Sequence, residues 1–471
     1  MPPHQVISSD GQDTKNNDYI SCRYARKLLV IIAVIIGTFL LWYLAPAIHR
    51  KQLLRRLVDG RPEQIRISPG SDYSEVVVMW TSRIDSSGYV MFGRQSARFE
   101  ARCRAVTIEI EDSINSGYFI PYVYRCELTK LLPGAIYFYK VVVDRYSSPV
   151  FQFRTFNNAA DSIVNLLVGS DIGVHSKTVQ ALTNEYQLRS IAYDAVLHLG
   201  DIAYNIEPNG DSFMRKMEPL VSQLLYLTIP GNHENQSLFK HYRHRFSLPG
   251  VKWPIPTGEM RYSFDLGKTH FVFYDTELYQ FQPHYIKQQH DWLRKDLQKA
   301  NLNRKQRPWI VVFGHRPLYC SNYINPETNC SSLQTAIRES VERLFFEQGV
   351  DLIVSGHEHS YERSWPVYNF SVYGHSYVDA KAPVHIVNGS PAVWFFLDVF
   401  EDAVNPKPEW SAFRSAVAGV ESFGRLAVVN DTHLRYTCVE SVSSRILDDF
   451  WLVQHNHSTR QESLPMSSIV T

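Results

Sequence analysis

Leu197-His198-Leu199-Gly200-Asp201-Ile202-Ala203-Tyr204 is the stretch on which the fold turns. An apolar run ends in a glycine, a carboxylate follows at once, and a phenol comes three residues later. Such a run reads as a buried strand that ends in a tight turn. Ligands of open α/β sheets gather just outside the carboxyl ends of the strands, which is where Asp201 falls. Taken alone, a Gly-Asp after a strand is ordinary turn chemistry. The layout, however, recurs four more times.

Val168-Gly169-Ser170-Asp171-Ile172-Gly173, Ile229-Pro230-Gly231-Asn232-His233-Glu234, Val312-Phe313-Gly314-His315 and Val354-Ser355-Gly356-His357-Glu358-His359 all follow it. Each runs from an apolar strand through glycine to a side chain that binds metals. Glycine lets the backbone turn sharply and approach an ion closely. Asp171, Asp201, Tyr204, Asn232, His315, His357 and His359 together offer two carboxylates, a phenol, an amide oxygen and three imidazoles. That set can make a dinuclear site: hard oxygens suit a trivalent ion, and imidazole suits iron or zinc. Two cations about 3.5–4 Å apart can clamp both oxygens of an in-line phosphoryl displacement and activate water for the attack. A nearby imidazole can orient the phosphate and protonate the leaving alkoxide, and His233, beside Asn232, is the candidate.

Around these blocks, strand-like runs at 164–168, 195–199, 223–229, 271–274, 310–313 and 352–355 alternate with helix-like segments at 178–192, 284–300 and 333–347. The alternation predicts an α/β sandwich. Residues 64–156 instead show short alternating β runs separated by Gly, Ser and Pro. Leu131-x-Pro133-x-x-x-Tyr137 looks like the tyrosine corner of immunoglobulin-like sandwiches, and Trp80 suits its core. The reading there is a fibronectin-III-like module. Further β runs at 383–387, 424–429 and 434–439 close the chain.

The formal net charge of +1 gives no electrostatic case for a nucleic-acid partner. Residues 28–45 form an uncharged apolar run long enough to span a bilayer, with residues 1–27 as a cytosolic tail. A signal anchor is expected, and secretion after signal cleavage is the alternative. Sequons at Asn235, Asn329, Asn369, Asn388, Asn430 and Asn456 all follow that run. The spacings of Cys103 with Cys126 and of Cys320 with Cys330 are compatible with disulfides, while Cys438 has no obvious partner. These features place the globular part in a lumen or outside the cell, membrane-anchored.

The five blocks resemble the signature blocks of purple acid phosphatases in the calcineurin-like metallophosphoesterase superfamily. His315-Arg316-Pro317-Leu318-Tyr319-Cys320 is similar to the long animal form. Pro383-Val384-His385-Ile386-Val387-Asn388-Gly389-Ser390, Gly424-Arg425-Leu426 and Asp449-Phe450-Trp451 resemble the family's C-terminal region. The resemblance implies domains at 62–156, 163–362 and 380–454, the middle one a two-sheet α/β sandwich. It also implies Asp171, Tyr204 and His359 on Fe(III), Asp201 as the bridge, and Asn232, His315 and His357 on a divalent iron, zinc or manganese. Tyr204 as phenolate on Fe(III) would give the purple colour. The implied substrate is a phosphomonoester, with a homodimer left open.

Two departures stand out. Ser170 occupies a position that is usually glycine, and no histidine lies between His315 and His357 to help protonate the leaving group. Competing readings are a phosphodiesterase or nucleotide pyrophosphatase of the same superfamily, and a non-enzymatic adhesion protein with a relict site. The presence of all seven ligand types argues against the last.

Overall fold

The computed structural model describes residues 32–35, 59–96, 98–110, 120–157, 159–188, 190–321, 332–390, 407–415 and 420–460. Most of the apolar run at 28–45 lies outside these residues; residues 32–35 are helical. No described helix is long and apolar enough to cross a membrane. The chain divides into two units, Met1–Gly60 and Arg61–Thr471, and the site belongs to the second.

The β-rich region first forms β1 (Glu63–Pro69), β2 (Val76–Ser82), β3 (Gly88–Gly93), β4 (Ala101–Arg104), β5 (Val106–Glu109), β6 (Tyr122–Leu128), β7 (Ile136–Val143), β8 (Tyr146–Ser147) and β9 (Phe151–Arg154). They pair into two antiparallel sheets, β1-β2-β6-β5 and β4-β3-β7-β8, with β9 also on β7. Trp80 is fully buried and stacks on Tyr124 at 5.2 Å. The Cys103–Cys126 disulfide joins β4 to β6, one strand from each sheet. At the expected corner, the Tyr137 hydroxyl accepts a hydrogen bond from the Leu132 amide at 2.9 Å.

The α/β region then runs β10 (Val164–Gly169), α1 (Thr178–Leu188), β11 (Ala195–Leu199), α2 (Ile206–Val221), β12 (Leu225–Ile229) and α3 (Gln236–Arg245). It continues β13 (Tyr262–Leu266), β14 (Thr269–Phe273), α4 (Leu278–Phe281), α5 (Ile286–Leu302), β15 (Trp309–Phe313), α6 (Ser332–Glu347) and β16 (Leu352–Ser355). β17 (Tyr361–Ser364), β18 (Val367–Tyr368), β19 (Ser371–Val372), β20 (Val384–Asn388), β21 (Ser411–Arg414), β22 (Ser422–Val428), β23 (His433–Glu440) and β24 (Ile446–Val453) follow.

Two mixed sheets result, ordered β12-β11-β10-β22-β23-β24 and β13-β14-β15-β16-β20-β17-β21. β11, β12, β14, β15 and β16 are buried at every residue, as parallel strands covered on both faces must be. That is why they read as continuous apolar runs rather than alternating ones. Helix α5 is amphipathic and buries Gln289, Leu293, Leu297 and Ala300 along one face. The carboxyl ends of β10, β11 and β12 meet those of β15 and β16 where the sheets approach. Ser390 N donates to Ser170 O at 3.1 Å across that junction.

The β-rich domain is fastened to this sandwich through α2 and α3. Arg245, 1% exposed, pairs with Asp211 at 2.7 Å and also donates to Gln64 Oε1 at 3.0 Å. Asp211 Oδ2 in turn accepts from the Ile120 amide at 2.8 Å.

Candidate metal centre

Three of the five ligand-bearing turns adopt a backbone that L-residues avoid. Asp171 (φ 58°), Asp201 (φ 52°), Tyr204 (φ 49°) and His357 (φ 70°) are all left-handed. Such conformations cost of order 1–3 kcal/mol each and persist where the surroundings impose them, commonly at functional sites. The glycines beside them are required by close approach. A Cβ on Gly231 would stand 2.2 Å from Asp201 Oδ1, and one on Gly356 would stand 1.8 Å from Ser170 Oγ.

Two groups of donors form. In the first, Asp171 Oδ1 lies 3.4 Å from the Tyr204 hydroxyl and 3.7 Å from His359 Nε2, and the Tyr204 hydroxyl also meets His359 Nε2. In the second, His315 Nε2 lies 3.4 Å from Asp201 Oδ1 and 3.2 Å from Asn232 Oδ1. Ligand atoms of Asp201, His315 and His357 all fall within 4.8 Å of one another. Atoms each about 2.0–2.2 Å from one ion stand about 3 Å apart, so these spacings suit ligation.

The donor chemistry fits as well. His315 Nδ1 faces Leu199 O at 2.8 Å, which leaves Nε2 to point at two oxygens. A bare nitrogen there would set lone pair against lone pair, so a proton or a metal cation must sit between them. His357 Nδ1 is buried and has no hydrogen-bond partner. A buried polar atom without a partner is costly unless something coordinates it.

Family models match along most of the chain from the β-rich domain onward. "Purple acid Phosphatase, N-terminal domain" covers residues 62–155, "Calcineurin-like phosphoesterase" 164–361, and "Iron/zinc purple acid phosphatase-like protein C" 382–449. Acid phosphatase type 7 of Homo sapiens is 38% identical over 84% of this chain and 92% of its own length. The chain belongs to the purple acid phosphatase family.

Purple acid phosphatase 22 of Arabidopsis thaliana is 28% identical, over 83% of this chain and 85% of its own. The structure of purple acid phosphatase PPD1 from yellow lupin shares the fold, with a TM-score of 0.73 at 20% identity over 88% of this chain and 78% of that one. Family and fold make this purple acid phosphatase a metal-dependent phosphatase.

Electrostatics follow from burial and crowding. Burial pushes the Asp171 carboxyl up to about 8. Burial alone would raise Asp201 too, but His315 holds it well below the usual carboxylate range. His315 would be lowered by burial, yet Asp201 more than offsets this and raises it to about 10. Burial, then the Arg316 guanidinium, drives His357 well below the ordinary imidazole value. A bound cation favours carboxylate and phenolate and needs neutral imidazole, so His357 is already in the form a metal takes.

Several contributors are not evident from the order of residues. The Glu234 carboxylate, 3% exposed, accepts from Asp201 N and Gly231 N at 2.8 Å and from Ile202 N at 2.9 Å, tying two ligand turns together. Asn205 Oδ1 lies 3.2 Å from His233 Nδ1, while the His233 ring packs at a tilt against Tyr204, centroids 4.5 Å apart. Ser170 sits with its hydroxyl 2.5 Å from Asp171 Oδ2 and 2.8 Å from Leu199 O, so the added hydroxyl is absorbed by hydrogen bonding. The signal for these was only their place beside the blocks.

Of the sequons, Asn388 is corrected: it is 1% exposed, donates to the Tyr436 hydroxyl at 2.9 Å and accepts from Ser422 at 2.8 Å. That amide packs β20 against β22 and β23 and leaves no path for a glycan. Asn369, Asn430 and Asn456 are exposed, Asn235 is half-buried, and Asn329 lies outside the described residues. Cys320 is disulfide-bonded, and its expected partner Cys330 lies outside the described residues. Cys438 is free and buried.

Proposed function

We propose that this protein is an acid phosphatase that hydrolyses phosphomonoesters at a dinuclear centre of Fe(III) and a divalent iron, zinc or manganese. Asp171, Tyr204 and His359 would hold the trivalent ion, Asp201 would bridge, and Asn232, His315 and His357 would hold the divalent one. When bound, the pair would supply Lewis-acid neutralisation of phosphoryl charge and activation of water. The observation that supports the reading is the gathering of the seven donors into two groups, Asp171 with Tyr204 and His359 and Asp201 with Asn232, His315 and His357, with His357 Nδ1 buried and unpartnered.

The chain's own contribution is positioning and proton delivery. His315 is oriented by Leu199 O, and the two ligand turns are held together by Glu234. Asn205 accepts the Nδ1 proton of His233, which leaves Nε2 as the working nitrogen. The His233 side chain is 35% exposed, open enough to meet substrate and pass a proton to the leaving alkoxide. The Cys103–Cys126 disulfide supports a lumenal or extracellular catalytic domain, with the run at 28–45 as its anchor.

The test is metal content, visible absorption and hydrolysis of aryl phosphate monoesters and diesters by the purified protein. Iron, a visible charge-transfer band and monoester hydrolysis at acid pH are expected. Tyr204→Phe should remove the band and leave the fold. A colourless, iron-free and inactive protein would overturn the reading; a preference for diesters would move it to a phosphodiesterase.

A further inference from the structure

Arg316 immediately follows His315, and its guanidinium reaches across to His357. The Nε group donates to Glu277 Oε1 at 2.9 Å, Nη2 donates to Glu277 Oε2 at 3.1 Å and to Gln280 Oε1 at 3.0 Å, and Nη1 faces His357 Nε2 at 3.0 Å. Glu277 is fully buried, so one edge of the guanidinium is clamped to a fixed carboxylate. The Arg316 side chain is 11% exposed.

The Nη1 contact cannot outlast loading of the centre. Arginine has donors and no acceptor, so His357 Nε2 must offer Arg316 a lone pair. If a metal takes His357 Nδ1, the remaining ring proton sits on Nε2 and two donors would face each other. If a metal takes Nε2, that lone pair is consumed. On either route Nη1 loses its partner, while Glu277 and Gln280 keep the rest of the guanidinium beside the centre. A cationic N–H group is then left next to the place where a phosphate must come.

Resting on the phosphatase reading above, we propose that Arg316 is a substrate-binding residue: in the loaded enzyme its Nη1 edge holds a non-bridging phosphate oxygen. No histidine lies between His315 and His357, and Arg316 is the cation that this stretch brings against a ligand of the centre. Because guanidinium does not release its proton near neutral pH, Arg316 neutralises charge and leaves proton delivery to His233. A clamped guanidinium matches a terminal phosphate, with its free oxygens, better than a diester.

The experiment uses the metal-loaded full chain, with inorganic phosphate as the probe. Phosphate affinity is read by calorimetry and by competitive inhibition, and metal content is measured on the same samples. Arg316→Met should keep the metals, weaken phosphate binding about 10- to 100-fold and raise KM similarly, the size of one lost charge-assisted hydrogen bond. Arg316→Lys should recover part of the affinity. Phosphate affinity within about twofold of wild type at equal metal content would overturn the assignment. Loss of metal from both variants would also overturn it, making Arg316 a support for His357 instead. Failure of the wild-type protein to bind phosphate would show before any variant is compared, and would overturn the phosphatase reading along with the assignment.

Discussion

At the scale of single residues, the candidate centre keeps its shape because glycines stand where a methyl group would collide with a proposed ligand. A Cβ on Gly356 would come within 1.8 Å of Ser170 Oγ and 2.5 Å of Asp171 Oδ2. Real Cβ contacts are not that short, so Gly356→Ala must push Asp171 aside. The expected outcome is loss of bound metal, with far-ultraviolet circular dichroism unchanged. Adding Ser170→Gly removes the nearer clash and should restore part of the metal, since neighbouring substitutions are not additive. Full metal content in Gly356→Ala alone would contradict this account. The seven ligand candidates were legible in the sequence because each follows a glycine at the end of an apolar run. Glu234, Asn205 and Arg316 were less so. Their roles are made by contacts across roughly 30 to 40 positions, such as Glu234 to Asp201 and Arg316 to Glu277, and no local pattern announces those.

At the scale of elements, the buried parallel strands were the readable part, and α2 was the hidden one. It contains Pro208, Gly210 and Pro219, a composition that reads as loop. Tertiary packing overrides that preference, since Phe213, Met214, Met217, Leu220 and Val221 are all buried. The N-terminal part of α3 was hidden for another reason: Ser237, Leu238 and Phe239 have left-handed backbones that no periodicity encodes. These two helices carry the seam with the β-rich domain. Arg245→Met would leave the Asp211 carboxylate, 4% exposed, without its cation. Breaking a buried pair from one side costs about 3–5 kcal/mol. Guanidinium denaturation should show a loss of that order, and the Arg245→Met/Asp211→Asn double variant should recover part of it. A loss below about 1 kcal/mol, the size typical of exposed pairs, would mean the seam does not depend on this pair.

At the scale of the whole molecule, buried titrating groups outside the proposed ligand set shape how stability follows pH. Burial lowers His198 and His385 to about 3, so each must stay neutral in the fold. Their contribution is present above the unfolded imidazole value of about 6.5 and is lost as pH falls below it. Burial raises Asp194 to about 6 and Asp275 to about 8, so these favour the fold while protonated and lose that contribution as pH rises from the ordinary carboxylate value. Each pH unit of such imbalance is worth about 1.4 kcal/mol per group. Between about pH 4 and 6 two groups rise and two fall, and the terms largely cancel. Above about pH 6.5 the balance tips. His270 bridges Asp265 at 2.7 Å and Asp296 at 2.9 Å. Burial opposes its charge, but the two carboxylates raise it to about 9. Its contribution is fully present below the unfolded imidazole value and is lost as pH rises through about 9, alongside the remaining loss from Asp275. Melting temperature should therefore be nearly level from about pH 4 to 6 and fall steadily above about 6.5. His270→Asn should flatten the upper part of the alkaline limb. His385→Phe, which removes a buried ring nitrogen with no partner, should raise stability on the acid side. A melting temperature that climbs between about pH 6.5 and 8.5 at constant metal content would show that other groups govern the profile.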